Sequence, residues 1–125
     1  MRRILGLLFL ITIMFTACAH EKHGNREKDY QKFWCDKHHG QMEYVLNDRT
    51  RVDCLTSEYA VEFDFGHKWA EATGQALYYG LKTGKKPGIV LILKESAEER
   101  YYKRLKLLAD EYKIKLWKMK PSDLD

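Results

Sequence analysis

The sequence predicts an α/β domain in which a mixed sheet is flanked by helices. Three observations lead there. Segments with apolar residues at helical spacing alternate with short segments rich in β-branched and aromatic residues, in the order α-β-β-β-α-β-α-β. One short segment, Ile89-Val90-Leu91-Ile92-Leu93, is an uninterrupted apolar run, the pattern of a strand covered on both faces. The chain has 125 residues, 45% of them apolar and 13% aromatic, with two prolines, which is enough side-chain area for one core and excludes a disordered chain.

A first helix is expected over 26–37, where Tyr30, Phe33 and Trp34 share a stripe, with Gly40 after His38-His39 as its stop. Residues 41–46 and 51–55 read as strands joined by the turn residues Asn47-Asp48-Arg49-Thr50, and 59–65 forms a third strand after Thr56-Ser57-Glu58. A helix over 67–83 is stopped by Gly84, and Pro87-Gly88 opens the apolar strand. Ser96-Ala97-Glu98-Glu99 reads as a capping box ahead of a helix whose stripe is Tyr101, Leu105, Leu108 and Tyr112. A last strand alternates Ile114 and Leu116 with Lys113, Lys115 and Trp117. Connections are short and no internal repeat is visible, so 26–125 reads as one domain, with right-handed crossovers between its parallel strands.

Ahead of that domain, Met1, Arg2 and Arg3 precede an apolar run over 4–15 that is too short for a comfortable membrane span and suits a signal peptide. A short membrane anchor is the alternative. Phe15-Thr16-Ala17-Cys18 resembles the lipobox of bacterial lipoproteins, with Phe15 in place of the usual leucine. The resemblance implies removal of 1–17 and lipid on Cys18. It also implies attachment to the bacterial cell envelope, on the periplasmic face of the outer membrane since no aspartate follows Cys18. Residues 18–25 are polar and without periodicity, a tether. Without the leader the chain carries 20 basic and 18 acidic residues, a balance that argues against a polyphosphate-binding tail.

Three cysteines are an awkward count for an exported protein. With Cys18 lipidated, Cys35 and Cys54 remain as a pair for which a disulfide is the default in an oxidising compartment. The alternative is a metal site from Cys35, His38, His39 and Cys54, which lacks the paired spacing of structural zinc sites.

Alternation along 59–65 puts Tyr59, Val61, Phe63 and Phe65 on one face and Ala60, Glu62 and Asp64 on the other. If Asp53 of the preceding strand shares the face of Glu62, three carboxylates converge, an oxygen-rich arrangement that suits Mg2+ or Mn2+; a solvated edge of acids is the alternative. On the next helix Lys68, Glu71, Gln75, Tyr79 and Lys82 form a polar stripe beside these acids.

The series Arg51-Val52-Asp53, Ala60-Val61-Glu62-Phe63-Asp64, Gln75-Ala76-Leu77-Tyr78-Tyr79 and then an apolar strand resembles the PD-(D/E)XK nuclease superfamily, in particular its RecB-type and Holliday-junction-resolvase-like members. There, D, ExK and QxxxY motifs fall on successive elements of an α-β-β-β-α-β restriction-endonuclease-like core, here followed by a further helix and a C-terminal strand. The resemblance spans residues 26–93. It implies that Asp53 and Glu62 bind the metal with the Phe63 carbonyl, and that Gln75 and Tyr79 contact nucleic acid. Asp64 departs from the pattern, standing where the superfamily has a lysine. Lys68 is the candidate for that catalytic charge, with an ordinary surface lysine as the alternative, and Tyr79 is equally suited to packing against the sheet. The implied activity is metal-dependent phosphodiester hydrolysis of nucleic acid. The alternative is an inactive nuclease-like scaffold that binds a protein, a metal or a nucleic acid in the envelope.

Overall fold

The computed structural model describes residues 26–125; Cys18, the leader and the tether lie outside the described residues. The order of elements is the expected one, α-β-β-β-α-β-α-β. Helix α1 (Glu27–Lys37) buries Tyr30, Gln31, Trp34 and Cys35, so the inward stripe contains Tyr30 and Trp34 while Phe33 is exposed. Its end differs from expectation: His39, at φ 54°, takes the left-handed turn, and the Gly40 N–H donates to the Cys35 carbonyl at 2.9 Å. Gly40 is required for space, since a Cβ there would lie 2.4 Å from Cys54 Sγ and 2.8 Å from Cys35 Sγ.

Strands β1 (Gln41–Val45), β2 (Arg51–Leu55) and β3 (Tyr59–Phe65) form an antiparallel meander, and β4 (Lys86–Ile92) and β5 (Lys115–Met119) add parallel strands in the order β1-β2-β3-β4-β5. Strand β4 starts earlier than expected because Pro87 and Gly88 pair with Ala60 and Val61 inside the sheet. A Cβ on Gly88 would come within 2.8 Å of the Trp117 ring, so glycine there makes room for the indole. Helix α2 (Trp69–Thr83) is preceded by a tighter turn over Gly66–Lys68, and Gly84 at φ 68° stops it as expected.

Helix α3 (Glu99–Tyr112) follows a turn over Ser96–Glu98, and its capping differs from the expected box. The Glu98 carboxylate accepts the N–H groups of Lys94 and Glu95, so the box runs from Glu95 and Ser96 is not the cap. Leu105 and Ala109 are buried, whereas Tyr112, the last residue of the helix, is exposed. Lys113 then takes a left-handed turn at φ 56°, and regular strand begins only at Lys115.

The sheet is covered on both faces. Tyr30, Trp34 and Cys35 of α1 pack on Cys54, Val61, Phe63, Val90 and Ile92; Ala72 and Ala76 of α2 with Leu105 and Ala109 of α3 pack on Ile89 and Leu91. The apolar run of β4 is explained by this double cover. Cys35 and Cys54 form a disulfide, 5.9 Å between Cα atoms, that ties α1 to β2. Both sulfurs are thereby committed, which overturns the Cys/His metal alternative; His38 instead stacks on Trp34 at 3.6 Å between ring centres. Among the described residues, no helix is long and apolar enough to cross a membrane.

Candidate functional site

The site forms where β2 and β3 part. They pair only at Cys54–Val61 and Leu55–Ala60, and beyond that the ladder stops. Two carboxylates then take the place of backbone carbonyls: Asp53 Oδ2 accepts the Phe63 N–H at 2.8 Å, and Glu62 Oε1 accepts the Asp53 N–H at 3.4 Å. The cause lies one strand away. Met42 packs into the core on the α1 side, opposite Cys54, whereas Tyr44 and Val52, two residues along, pack with Ala60 and Tyr79 on the other side. Simple alternation would keep both pairs on one face. The hairpin therefore turns over at Glu43, which takes φ 52° and is left out of the paired register, and the Asp53 N–H across from it turns to Glu62.

Two adjoining cavities share the resulting floor. The first, about 440 Å³, lies between α1, the hairpin and α2; its lining includes Glu27, Gln31, Glu43, Asp53, Glu62 and Tyr79. The second, about 410 Å³, is lined by Glu27, Asp53, Glu62, Phe63, Asp64, Lys68, Glu71 and Gln75. Lys28, Arg49 and Arg51 stand on the wall of the first, with Arg51 3.4 Å from Glu43. The hairpin tip is held to α2 by the Tyr78 hydroxyl, which donates to Asp48, and Asp48 also accepts the Thr50 N–H at 3.0 Å. The Thr50 hydroxyl donates to Asp48 as well, and these hydrogen bonds, from that hydroxyl first, then Tyr78, then the Thr50 N–H, bring the Asp48 carboxyl down to about 2.

So many acids in one cleft repel each other. Glu62 is 3% exposed and Asp64 6%. Burial first, and then the charge of its neighbour, holds Glu62 neutral well above the carboxylate range; burial also raises Asp53, and the two share a hydrogen bond between carboxyl groups. Asp64 is pushed up to about 7 by burial and by Glu27, against the pull of Lys68. Burial raises Glu27 too, opposed by Lys68 and by the Gln31 amide. Tyr79 is raised by burial and by Glu62 and Asp53, while its ring packs on Val52 and Ala60.

Of the residues singled out in the sequence, Asp53, Glu62, Asp64, Lys68 and Gln75 line one cavity, and Tyr79 lines the adjoining one. Lys82 does not join them; it lines a separate cavity with Tyr44 and Leu55. Sequence reasoning missed Glu27, Gln31 and Glu43. A signal existed for the first two: they stand one helical turn apart, and Gln31 is a polar residue among the buried Tyr30, Trp34 and Cys35. Glu43 had none, because its place depends on the turnover of the hairpin.

The donor set is oxygen throughout, the chemistry of a hard divalent cation. Among the described residues, no three His, Cys, Asp or Glu side chains are already placed to hold an ion. The raised Asp53 and Glu62 carboxyls on the cavity floor are nonetheless groups that a divalent cation would satisfy. Comparison of the chain with protein families, with curated proteins and with solved structures finds no match in any of the three.

Proposed function

We propose that the protein is a divalent-cation-dependent phosphodiesterase of the PD-(D/E)XK type, acting on nucleic acid and anchored in the bacterial envelope by lipid on Cys18. The observation that carries this reading is the pairing of Asp53 and Glu62 across the parted strands, on the floor common to both cavities. The order α-β-β-β-α-β, with α2 leading into an apolar parallel strand, supports the restriction-endonuclease-like topology.

In this reading Asp53 and Glu62 give up their shared proton and hold Mg2+ or Mn2+. The bound cation supplies Lewis-acid polarisation of the phosphate and a water of lowered pKa. Lys68, at the head of α2, provides the positive charge that the phosphate oxygens need as they become more negative, taking the part for which Asp64 has the wrong sign. Gln75 orients the substrate from the wall of the second cavity, and Tyr79 from the first. Lys28, Arg49 and Arg51 offer positive charge to flanking phosphates.

Cleavage of single- and double-stranded DNA and RNA by the full chain in detergent, with Mg2+ or Mn2+, is the test. Glu62→Ala loses cation and cleavage together, whereas Lys68→Ala loses cleavage and keeps the cation. A second reading, a nuclease-like scaffold that binds without turnover, is favoured by one observation: the carboxyl of Asp64 lines the cavity in the place of the expected lysine. Absence of cleavage on every substrate supports it, and recovery of cleavage in Asp64→Lys would mean that a single charge separates the two.

A further inference from the structure

Two guanidinium groups share one aromatic ring at the head of α3. Those of Arg100 and Arg104 lie 4.5 Å and 5.8 Å from the centre of the Tyr101 ring, and Arg100 also donates to the Tyr101 hydroxyl at 2.9 Å and to the Ala97 carbonyl at 3.0 Å. Both arginines are exposed. Among the described residues neither has a carboxylate partner: Glu99 beside them is engaged by Lys118, and Glu98 by the N–H groups of Lys94 and Glu95. A guanidinium held in place yet not neutralised is ready to bind a phosphate. The Tyr101 ring in turn lies against Gly66, where a Cβ would come within 3.1 Å of it. Gly66 joins β3 to α2, two residues from Asp64 and two from Lys68, so its Cα is within about 7 Å of theirs. Asp64 and Lys68 line the second cavity. Lys94 stands at the same corner, 4.4 Å from the centre of the Phe65 ring. Exposed cations therefore run from the second cavity, over the head of α2, to the arginine pair.

We propose that Arg100 and Arg104 bind backbone phosphates of a nucleic-acid strand that continues from the second cavity over the head of α2. This rests on the reading of the site given above and extends it to a helix that lines neither cavity. The occupant is a chain and not a small anion, because cations flank the acid floor on both sides: Lys28, Arg49 and Arg51 line the first cavity, and Lys68 lines the second. A polymer with evenly repeated negative charge touches both flanks at once, and its contacts to the two flanks add. Contacts of this kind hold the strand in place and carry no sequence preference.

The test is the fluorescence anisotropy of fluorescein-labelled single- and double-stranded DNA titrated with the full chain in detergent, over a range of salt, with chelator present so that no cleavage competes. Arg100→Gln with Arg104→Gln lowers affinity about tenfold whatever the sequence, and on single strands the slope of log affinity against log salt becomes shallower by about 1.4, the loss of two phosphate contacts. Arg100→Lys with Arg104→Lys keeps both charges and therefore keeps the slope. Lys37→Gln with Lys115→Gln removes two exposed charges at the opposite end of the sheet, where His38 and Tyr59 meet Trp117, and leaves affinity and slope unchanged. No DNA binding by wild type overturns the reading on which the proposal rests. Binding by wild type that the glutamine pair at 100 and 104 leaves unchanged, or that the pair at 37 and 115 weakens as much, overturns the role of the arginines alone. A slope lost as fully in the lysine pair as in the glutamine pair assigns Arg100 and Arg104 to the packing of α3 and overturns the proposal as well.

Discussion

Asp64→Asn probes the electrostatic burden of the site without disturbing its shape. The Asp64 carboxyl ionises near its ordinary 3.8 in the unfolded chain and is pushed up to about 7 in the fold, by burial and by Glu27. A raised pKa means that the fold favours the neutral acid. The stability this group contributes is full below its unfolded pKa and is lost as pH rises through the folded value. A shift of about three units, with the pull of Lys68 already in it, corresponds to a ceiling of about 4 kcal/mol, and solvent screening in the open cavity lowers the expected figure to about 2 kcal/mol. Asparagine keeps the shape and removes the charge. In urea denaturation of the cation-free protein, wild type and variant should match closely near pH 4. Above about pH 8 the variant's midpoint should lie roughly 1 M higher at an unchanged slope. Equal midpoints at both pH values, or a variant less stable at high pH, would refute the claim that Asp64 is a buried acid only partly compensated by Lys68.

The remaining predictions concern the disulfide, the hairpin tip and the lipid. Replacing Cys35 and Cys54 by serine opens a loop with a sequence separation of 19, which costs about 3 kcal/mol on chain entropy and lowers the melting temperature by roughly 15 °C. Scanning calorimetry reads that directly, and a drop of only a few degrees contradicts it. Tyr78→Phe removes a hydrogen bond that holds the Asp48 carboxyl down to about 2, so carboxyl NMR titration should find Asp48 moved back toward its ordinary value. Cys18→Ser should abolish lipid attachment and release the chain from membranes, as followed by mass and fractionation.

The order of elements was legible because each of its signals is local. Helical stripes, the apolar run of β4 and Gly84 act through neighbouring residues and survive tertiary context. Where three-dimensional packing decides, the sequence misled. Phe33 and Tyr112 are apolar at helical spacing yet exposed, and Pro87 and Gly88 look like a turn yet lie in a strand that needs space for Trp117. In the site, alternation along β3 correctly puts Glu62 and Asp64 on one face, and the adjacent Cys54, turned toward α1, leaves Asp53 on the same side. The turnover at Glu43 was invisible, because it comes from one left-handed residue within an ordinary-looking strand. The contribution of α1 through Glu27 and Gln31 depends on how that helix lies across the sheet, which periodicity alone does not specify.

Whether Asp53 and Glu62 hold a divalent cation is measured most directly by calorimetric titration of Mn2+ into the full chain near neutral pH. Running it in buffers of different ionisation enthalpy makes proton release measurable. Wild type should bind Mn2+ and release a proton as it does so, because burial and mutual repulsion keep one proton on this carboxyl pair, on Glu62, when no cation is bound. Glu62→Ala should lose both the binding and the release. A wild-type protein that takes up no Mn2+, or a Glu62→Ala variant that binds it with undiminished affinity, would contradict the assignment of this cleft as a cation site.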